Sequence, residues 1–310
     1  MVSGPVIIDC DPGHDDVVAI LHAHRHLDLV AITTVAGNAP LAEVTANALA
    51  ITEAAGIGVP VIVGASGPMV GQSVTAAYAH GRSGLDGAER PAFTRSPEPG
   101  RAVDHLLRLA ERHAGSLRIA AVGPLTNIAL ALLLDPGFAD AVAEVSVMGG
   151  AVGTGNITPA AEFNFFADPV AARIVLESRL KLRVVGVDVT HTVGLREEDV
   201  AHLRGSGRAL PSLLGDLQAF YLSRQGEMYG RDHAPQHDVL AVVPWVDGDA
   251  IVYERCSGTV STESGPTWGM SVFDTRNRAD ATAPKNILLA RRADRDRVIA
   301  SVMESLLSYA

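Results

Sequence analysis

Short apolar runs alternate with stretches of helical periodicity along nearly the whole chain. The first run, Val6-Ile7-Ile8, reads as a buried parallel strand, which has no solvated face and therefore no alternation. Pro12-Gly13 breaks it, and Val17-Val18-Ala19-Ile20-Leu21 opens a helix. Residues 29–35 (LVAITTV) are rich in β-branched side chains and read as a second strand, ending at Ala36-Gly37-Asn38. A helix over 41–55 and a strand over 59–63 follow. From Gly64 to Gly100 the pattern dissolves into a loop rich in Gly, Pro and Ser, long enough to be functional, and a lid over the first motif fits it. Order returns with a helix over 102–113, a strand over 117–122, a tight turn at Gly123-Pro124, an apolar helix to Leu134 and a strand over 144–148. Next come a helix over 169–177, a strand over 182–189, and helices over 197–204 and 212–229. Residues 231–237 show no clear period, and residues 239–243 resume a helix. Residues 251–260 and 268–275 read as antiparallel additions, 287–290 as a last strand and 294–307 as a closing helix. Neither a linker nor an internal repeat interrupts the alternation. It predicts one α/β domain over 1–310, doubly wound and mostly parallel, with a small antiparallel excursion near 250–276.

The candidate chemistry sits where predicted strands end. Asp9, Asp11, Asp15 and Asp16 fall within eight residues, and no Lys or Arg occurs before Arg25. Asp15 and Asp16 suit the first turn of a helix and read as caps. Capping leaves Asp9 and Asp11 unexplained, and crowded carboxylates must take up protons or share a cation. A hard divalent ion with oxygen ligands satisfies them. Asn38 is at a strand's carboxyl end, and reads equally as a site residue or a turn residue. In the segment 155–168, Asn156, Glu162 and Asn164 are interleaved with Phe163, Phe165 and Phe166. Polar side chains beside aromatic faces suit a polyhydroxylated ligand that carries a ring; a loop pinned by Asx turns and plugged by Phe fits as well. His237-Asp238 places a further carboxylate at an element end, where Asp238 could be an N-cap. His80, in the long loop, reads as solvated. His22, His24 and His26 read as a solvated helix end, without the Cys or second His pair that a zinc site would bring. The Gly123 turn has neither GxGxxG nor a Walker lysine, so no phosphate cradle is expected.

Charge narrows the partners. The 25 basic residues against 35 acidic give a net charge of −10, which disfavours nucleic acid and anionic membranes. Cys10 and Cys256 imply no disulfide framework, so a reducing, cytoplasmic setting is expected. The N-terminus has neither basic nor long apolar character, and no apolar run is long enough to span a bilayer.

Asp9-Cys10-Asp11-Pro12-Gly13-His14-Asp15-Asp16, then Thr33 to Asn38, Gly123 to Asn127, Met148-Gly149-Gly150, Glu162-Phe163-Asn164 and His237-Asp238, together resemble the inosine/uridine-type nucleoside hydrolases. The resemblance spans nearly the whole chain. It implies a Rossmann-like fold, an N-ribosyl hydrolase acting on small-molecule ribonucleosides, one bound Ca²⁺, and a homo-oligomer, tetramer or dimer. By the same resemblance Asp11, Asp16, Asp238 and the Val122 carbonyl hold the ion. Asp15, Asn38 and Asn164 meet the ribose 2′- and 3′-hydroxyls, and Asn156 and Glu162 the 5′-hydroxyl. Asp9 supports the motif, Asp11 is the base that activates water, and His237 assists the departing nucleobase. His80 and Phe163 join the substrate-binding set. Gln225 and Tyr229, four apart on one helix face, resemble the pyrimidine-preferring members, which favours uridine or cytidine. A purine-preferring or broad enzyme and a non-catalytic, Ca²⁺-dependent ribonucleoside-binding protein are the alternatives. An aspartyl-phosphate phosphatase, suggested by the spacing of Asp9 and Asp11, would be expected to carry a later phosphate-steadying lysine, and only Lys181 and Lys285 occur.

Overall fold

The computed structural model describes residues 4–276 and 285–310; residues 1–3, part of the stretch read for a leader, lie outside the described residues. The strands are β1 (Pro5–Cys10), β2 (Asp28–Thr34), β3 (Val61–Val63), β4 (Leu117–Ala121), β5 (Val142–Met148), β6 (Leu182–Val185), β7 (Gly194–Arg196), β8 (His233–Pro235), β9 (Ile251–Val260), β10 (Ser271–Asp274) and β11 (Ile287–Ala293). The helices before β6 are α1 (His14–His26), α2 (Leu41–Ala54), α3 (Ala77–His80), α4 (Ala102–Arg112), α5 (Thr126–Leu134), α6 (Phe138–Ala141), α7 (Phe163–Ala167) and α8 (Pro169–Leu176). After it come α9 (Val187–Thr190), α10 (Glu197–Arg204), α11 (Ala209–Tyr229), α12 (Val239–Val246) and α13 (Arg295–Leu307).

Nine strands form one sheet in the order β10-β9-β11-β6-β5-β4-β1-β2-β3. Pairing is parallel from β3 across to β11; β9 and β10 add antiparallel at the edge. The chain winds outward from β1 through β2 to β3, then returns to place β4 on the other side of β1. That reversal is a topological switch point, where open α/β sheets bind ligands beyond the strands' carboxyl ends. The expected doubly wound architecture with an antiparallel addition is present.

Successive residues of β1 point to opposite faces, and both faces are covered. Ile8 packs in one apolar layer with Val17 to Leu21 of α1, Leu240 to Val243 of α12 and Val302 of α13. Ile7 packs in the other with Leu106 of α4, Ile128 of α5 and Val175 of α8. Double coverage explains why every residue of β1 is buried and why no polar alternation marks it. Among the described residues no helix is long and apolar enough to cross a membrane.

Three expectations are corrected. The stretch read as one strand over 182–189 is β6 followed by the short helix α9. The break falls at Gly186, where a Cβ would stand 2.8 Å from the Gly150 carbonyl oxygen. The unpatterned residues before His237 contain β8, which pairs antiparallel with β7 in a ribbon of its own. The histidines of α1 are not a solvated end: His22 is fully buried, and Ser305 of α13 lies 2.9 Å from both His22 Nδ1 and His26 Nε2. The long loop is fastened across the first motif. Asn47 donates to the carbonyls of Pro12 and Ser83, and Arg95 to those of Ile57 and Val59.

Candidate active site

Asp11 is the first residue past β1, and the two neighbouring strand ends hold it. Its Oδ2 accepts from the Asn38 backbone N–H at 2.6 Å, just beyond β2. On its flanks stand Gly37 and Gly123; a Cβ at Gly37 would lie 2.0 Å from Asp11 Oδ2 and one at Gly123 2.6 Å from Oδ1. Only glycine leaves room for the carboxylate at both places. Asp9, inside β1, accepts from Thr33 Oγ1 at 2.5 Å and Asn127 Nδ2 at 2.8 Å. It braces β1 against β2 and α5, and burial pushes its carboxyl up to about 6.

Asp16 does cap its helix. It accepts from the N–H groups of Gly13 at 2.9 Å and Asp11 at 3.1 Å, and from Asn38 Nδ2 at 3.0 Å. Capping does not exhaust it. Carboxylate oxygens of Asp15, Asp16 and Asp238 lie within 4.8 Å of one another, all three residues buried. Asp11 falls outside that tightest trio but faces the same charges. Burial, then the charge of Asp16, holds Asp11 and Asp15 well above the ordinary carboxylate range. Burial, then Asp15, does the same to Asp238. Oδ1 of Asp11 and Oδ1 of Asp15 are buried with no protein partner. Buried acceptors without a donor are costly, and a cation relieves both the missing partner and the repulsion. The donor set is all oxygen, so the cluster fits a hard divalent metal.

One pocket joins this cluster to the rest. Its empty space, counted out to the solvent mouth, is about 530 Å³. It gathers Asp15, Asn38, His80, Val122, Asn156, Glu162, Phe163, Asn164, Gln225, Tyr229, His237 and Asp238. Of the acids singled out in the sequence, Asp9, Asp11 and Asp16 do not line it. Val122 follows β4; its carbonyl accepts from Asn164 Nδ2 at 2.9 Å, which leaves a second lone pair. Glu162 caps α7: Oε1 accepts from Asn164 N, and Oε2 from Phe165 N and Gly150 N. Burial nevertheless pushes its carboxyl up to about 7. Asn156 Oδ1 accepts from Phe163 N, so the segment is pinned by its own side chains while it lines the pocket.

His80 is buried rather than solvated. His14 Nε2 lies 2.8 Å from the Asp86 carbonyl oxygen, which can only accept, so His14 is a donor there. Its Nδ1 lies 3.1 Å from His80 Nδ1, which also accepts from the His14 backbone N–H at 3.4 Å. Burial keeps both rings neutral, His14 down at about 4. Both rings stack on Tyr221. His237 Nδ1 is 2.6 Å from Thr190 Oγ1, and burial, then His191, holds its pKa well below the usual value.

Sequence reasoning missed Tyr78, Met148, His191, Tyr221 and Arg231, which also line the pocket. Tyr221 had a signal: it precedes Gln225 by the same four residues that separate Gln225 from Tyr229, on one face of α11. His191 and Arg231 had none, because tertiary packing brings them in.

A doubly wound α/β sheet with a carboxylate-rich pocket at its switch point defines a class of hydrolytic and ligand-binding proteins, and the comparisons narrow it. The family model described as inosine-uridine preferring nucleoside hydrolase matches residues 6–300. The chain belongs to that family, and it is a nucleoside hydrolase. It is 38% identical over 271 residues to the pyrimidine-specific ribonucleoside hydrolase RihB of Escherichia coli strain K12, covering 87% of each chain. The plant nucleoside hydrolase PpNRh1 superposes with a TM-score of 0.93 at 33% identity, covering 98% of this chain and 99% of that one. The purine-preferring ribonucleoside hydrolase from Gardnerella vaginalis superposes with a TM-score of 0.92 at 29% identity, covering 98% of both. The phosphatase alternative falls with these matches.

Proposed function

We propose that the protein hydrolyses the N-glycosidic bond of pyrimidine ribonucleosides, uridine and cytidine, to free base and ribose, with one Ca²⁺ bound. The observation that carries the reading is the pocket itself: acids at one end, the Gln225–Tyr229 face at the other, and a row of amides between. The similarity to RihB supports the pyrimidine preference. Asp11, Asp16, Asp238 and the Val122 carbonyl hold the ion in this reading. Bound Ca²⁺ supplies positive charge that orients the attacking water and acidifies it, less strongly than Zn²⁺ would, so a protein base is still needed.

Asp15, Asn38 and Asn164 hold the 2′- and 3′-hydroxyls, and Asn156 and Glu162 the 5′-hydroxyl. The C1′–N bond breaks with its electron pair leaving on the base, and the sugar gains oxocarbenium character, as in O-glycoside hydrolysis. Carboxylates around the ribose favour that positive charge over the neutral ground state. Water's oxygen bonds to C1′, and Asp11 takes its proton. In this reading Thr190 Oγ1, 2.6 Å from His237 Nδ1, is the donor, so that neutral His237 carries its proton on Nε2 and donates a hydrogen bond to the departing base. His80 and Phe163 close the sides. We further read the whole chain as one domain that assembles as a homo-oligomer. Its free thiols, Cys10 and Cys256, suit the cytoplasm.

Ribose release, assayed as reducing sugar, tests the reading. Uridine or cytidine should exceed inosine in kcat/KM by at least about tenfold, ~1.4 kcal/mol of transition-state binding. Preference for inosine or guanosine would overturn the base assignment and leave the metal and ribose residues untouched.

A further inference from the structure

The base end of the pocket holds a residue with no role in the reading above. Helix α11 closes on Gly230, whose φ of 64° lies in the left-handed region that favours glycine. The reversal returns Arg231 against the last turns of the helix, its backbone N–H bonded to the Gln225 carbonyl at 3.4 Å. The side chain follows: Nη1 donates to Gln225 Oε1 at 2.5 Å, and the guanidinium carbon stands 4.4 Å from the centre of the Tyr229 ring. Asp232, the neighbouring acid, is turned to His233 Nδ1 at 2.9 Å. Among the described residues no carboxylate pairs with Arg231. A stacked, half-buried guanidinium with spare N–H groups calls for an acceptor.

The bond to Gln225 has a chemical consequence. A guanidinium only donates, so Gln225 must give it the amide oxygen and turn its NH₂ elsewhere. Among the described residues nothing accepts from Gln225 Nε2, and that atom is not sealed inside protein, so it opens into the pocket. Both groups therefore present N–H alone. Tyr221 and His191, their neighbours, can each donate or accept and do not discriminate.

We infer that Arg231 and Gln225 form a donor-only edge that selects nucleobases by their carbonyl groups, favouring uracil ribosides over cytosine ribosides. Uracil offers two carbonyl oxygens. Cytosine replaces one with an amino group, whose hydrogens would meet the N–H groups of the wall and leave them unpaired. The inference rests on the pocket's being a nucleoside site, and it goes beyond a general preference for pyrimidines.

The test is kcat/KM for uridine and cytidine with the wild type, Arg231→Met and Arg231→Lys, beside calorimetric binding of free uracil and cytosine. The wild type should favour uridine by at least about tenfold, and Arg231→Met should bring the ratio within about threefold, chiefly by slowing uridine. Arg231→Lys keeps the charge without the fork and should fall between. Both substrates carry the same ribose, so general damage lowers both and leaves the ratio standing. Equal or better use of cytidine by the wild type, or an unchanged ratio in Arg231→Met, overturns the inference. If only purine ribosides are hydrolysed, the pyrimidine reading fails separately. Inosine over adenosine would then uphold the carbonyl edge, and adenosine over inosine would overturn it. If no nucleoside is hydrolysed, uracil must still bind more tightly than cytosine, or the edge is refuted.

Discussion

Asp238→Asn distinguishes a carboxylate cluster built for a cation from one held by its own hydrogen bonds. Oxygens of Asp15, Asp16 and Asp238 lie within 4.8 Å of one another. Two unit charges at about that separation, in an effective dielectric near 20, repel by ~3 kcal/mol. Asp238 faces two such neighbours, but protonation already relieves part of the repulsion, because burial and those neighbours hold its carboxyl well above the ordinary range. Removing the charge should therefore relieve about one pair, ~3 kcal/mol. Asparagine keeps the shape and can donate to Asp16 as a protonated acid does. At mildly alkaline pH with a chelator, the variant should be more stable than the wild type. At ~2 °C per kcal/mol for a chain of this size, its Tm should rise by about 6 °C. With Ca²⁺ at about a hundred times its Kd, the wild type gains ~2.7 kcal/mol and the variant, with a weaker site, much less. The gap should then close or invert. Scanning calorimetry in chelator and in Ca²⁺ measures both. A variant less stable than the wild type by the same amount in both conditions would refute the cation argument.

Asp11→Asn should keep the fold and lose turnover by ~10²–10⁴-fold or more, since it removes the proposed base and weakens the metal site; activity within about tenfold of wild type at saturating Ca²⁺ would remove Asp11 from that role. Chelation should inactivate the enzyme, and Ca²⁺ should restore it better than Zn²⁺, because all the proposed ligands are oxygen; full activity after exhaustive chelation, with no calcium by elemental analysis, would sink the metal assignment. Above about pH 7, where the histidines are neutral in folded and unfolded chain alike, stability of the metal-free protein should fall as pH rises. Burial lifts Asp9 from 3.8 to about 6 and raises Asp11, Asp15, Asp16 and Asp238. Acids with raised folded-state pKa values contribute stability below the unfolded value that is lost through the folded one. Unfolding midpoints in chelator that climb as pH rises above about 7 would contradict this. Gln225→Ala with Tyr229→Ala should shrink the pyrimidine-over-purine ratio by slowing uridine and cytidine, read as kcat/KM; an unchanged ratio would place base recognition elsewhere.

The order of strands and helices was legible because strands buried on both faces must be apolar runs, and β1, β2, β4 and β5 are. The acids were legible because four of them fall within eight residues with no Lys or Arg among them. What could not be read depends on distant partners. His22 looks like part of a solvated helix end until Ser305, far along the chain, covers it. Strands β7 and β8 have three residues each, too few for a period to show. The run from Leu182 to Val189 is apolar throughout, and only the approach of Gly186 to Gly150 splits it into strand and helix. Arg231 acquires meaning only after Gly230 turns the chain back on α11.

The pocket's two ends are built from different materials. The cleaving end hangs on the tips of β1, β2 and β4, with Asp11 wedged between Gly37 and Gly123; any side chain added at either glycine pushes on the carboxylate. The base end hangs on the last turns of α11 and the two residues after it, so a change at Gln225, Tyr229 or Arg231 lies outside every strand. Selectivity can therefore drift, or be bred in a library of those three positions, while the bond-breaking half is inherited unaltered.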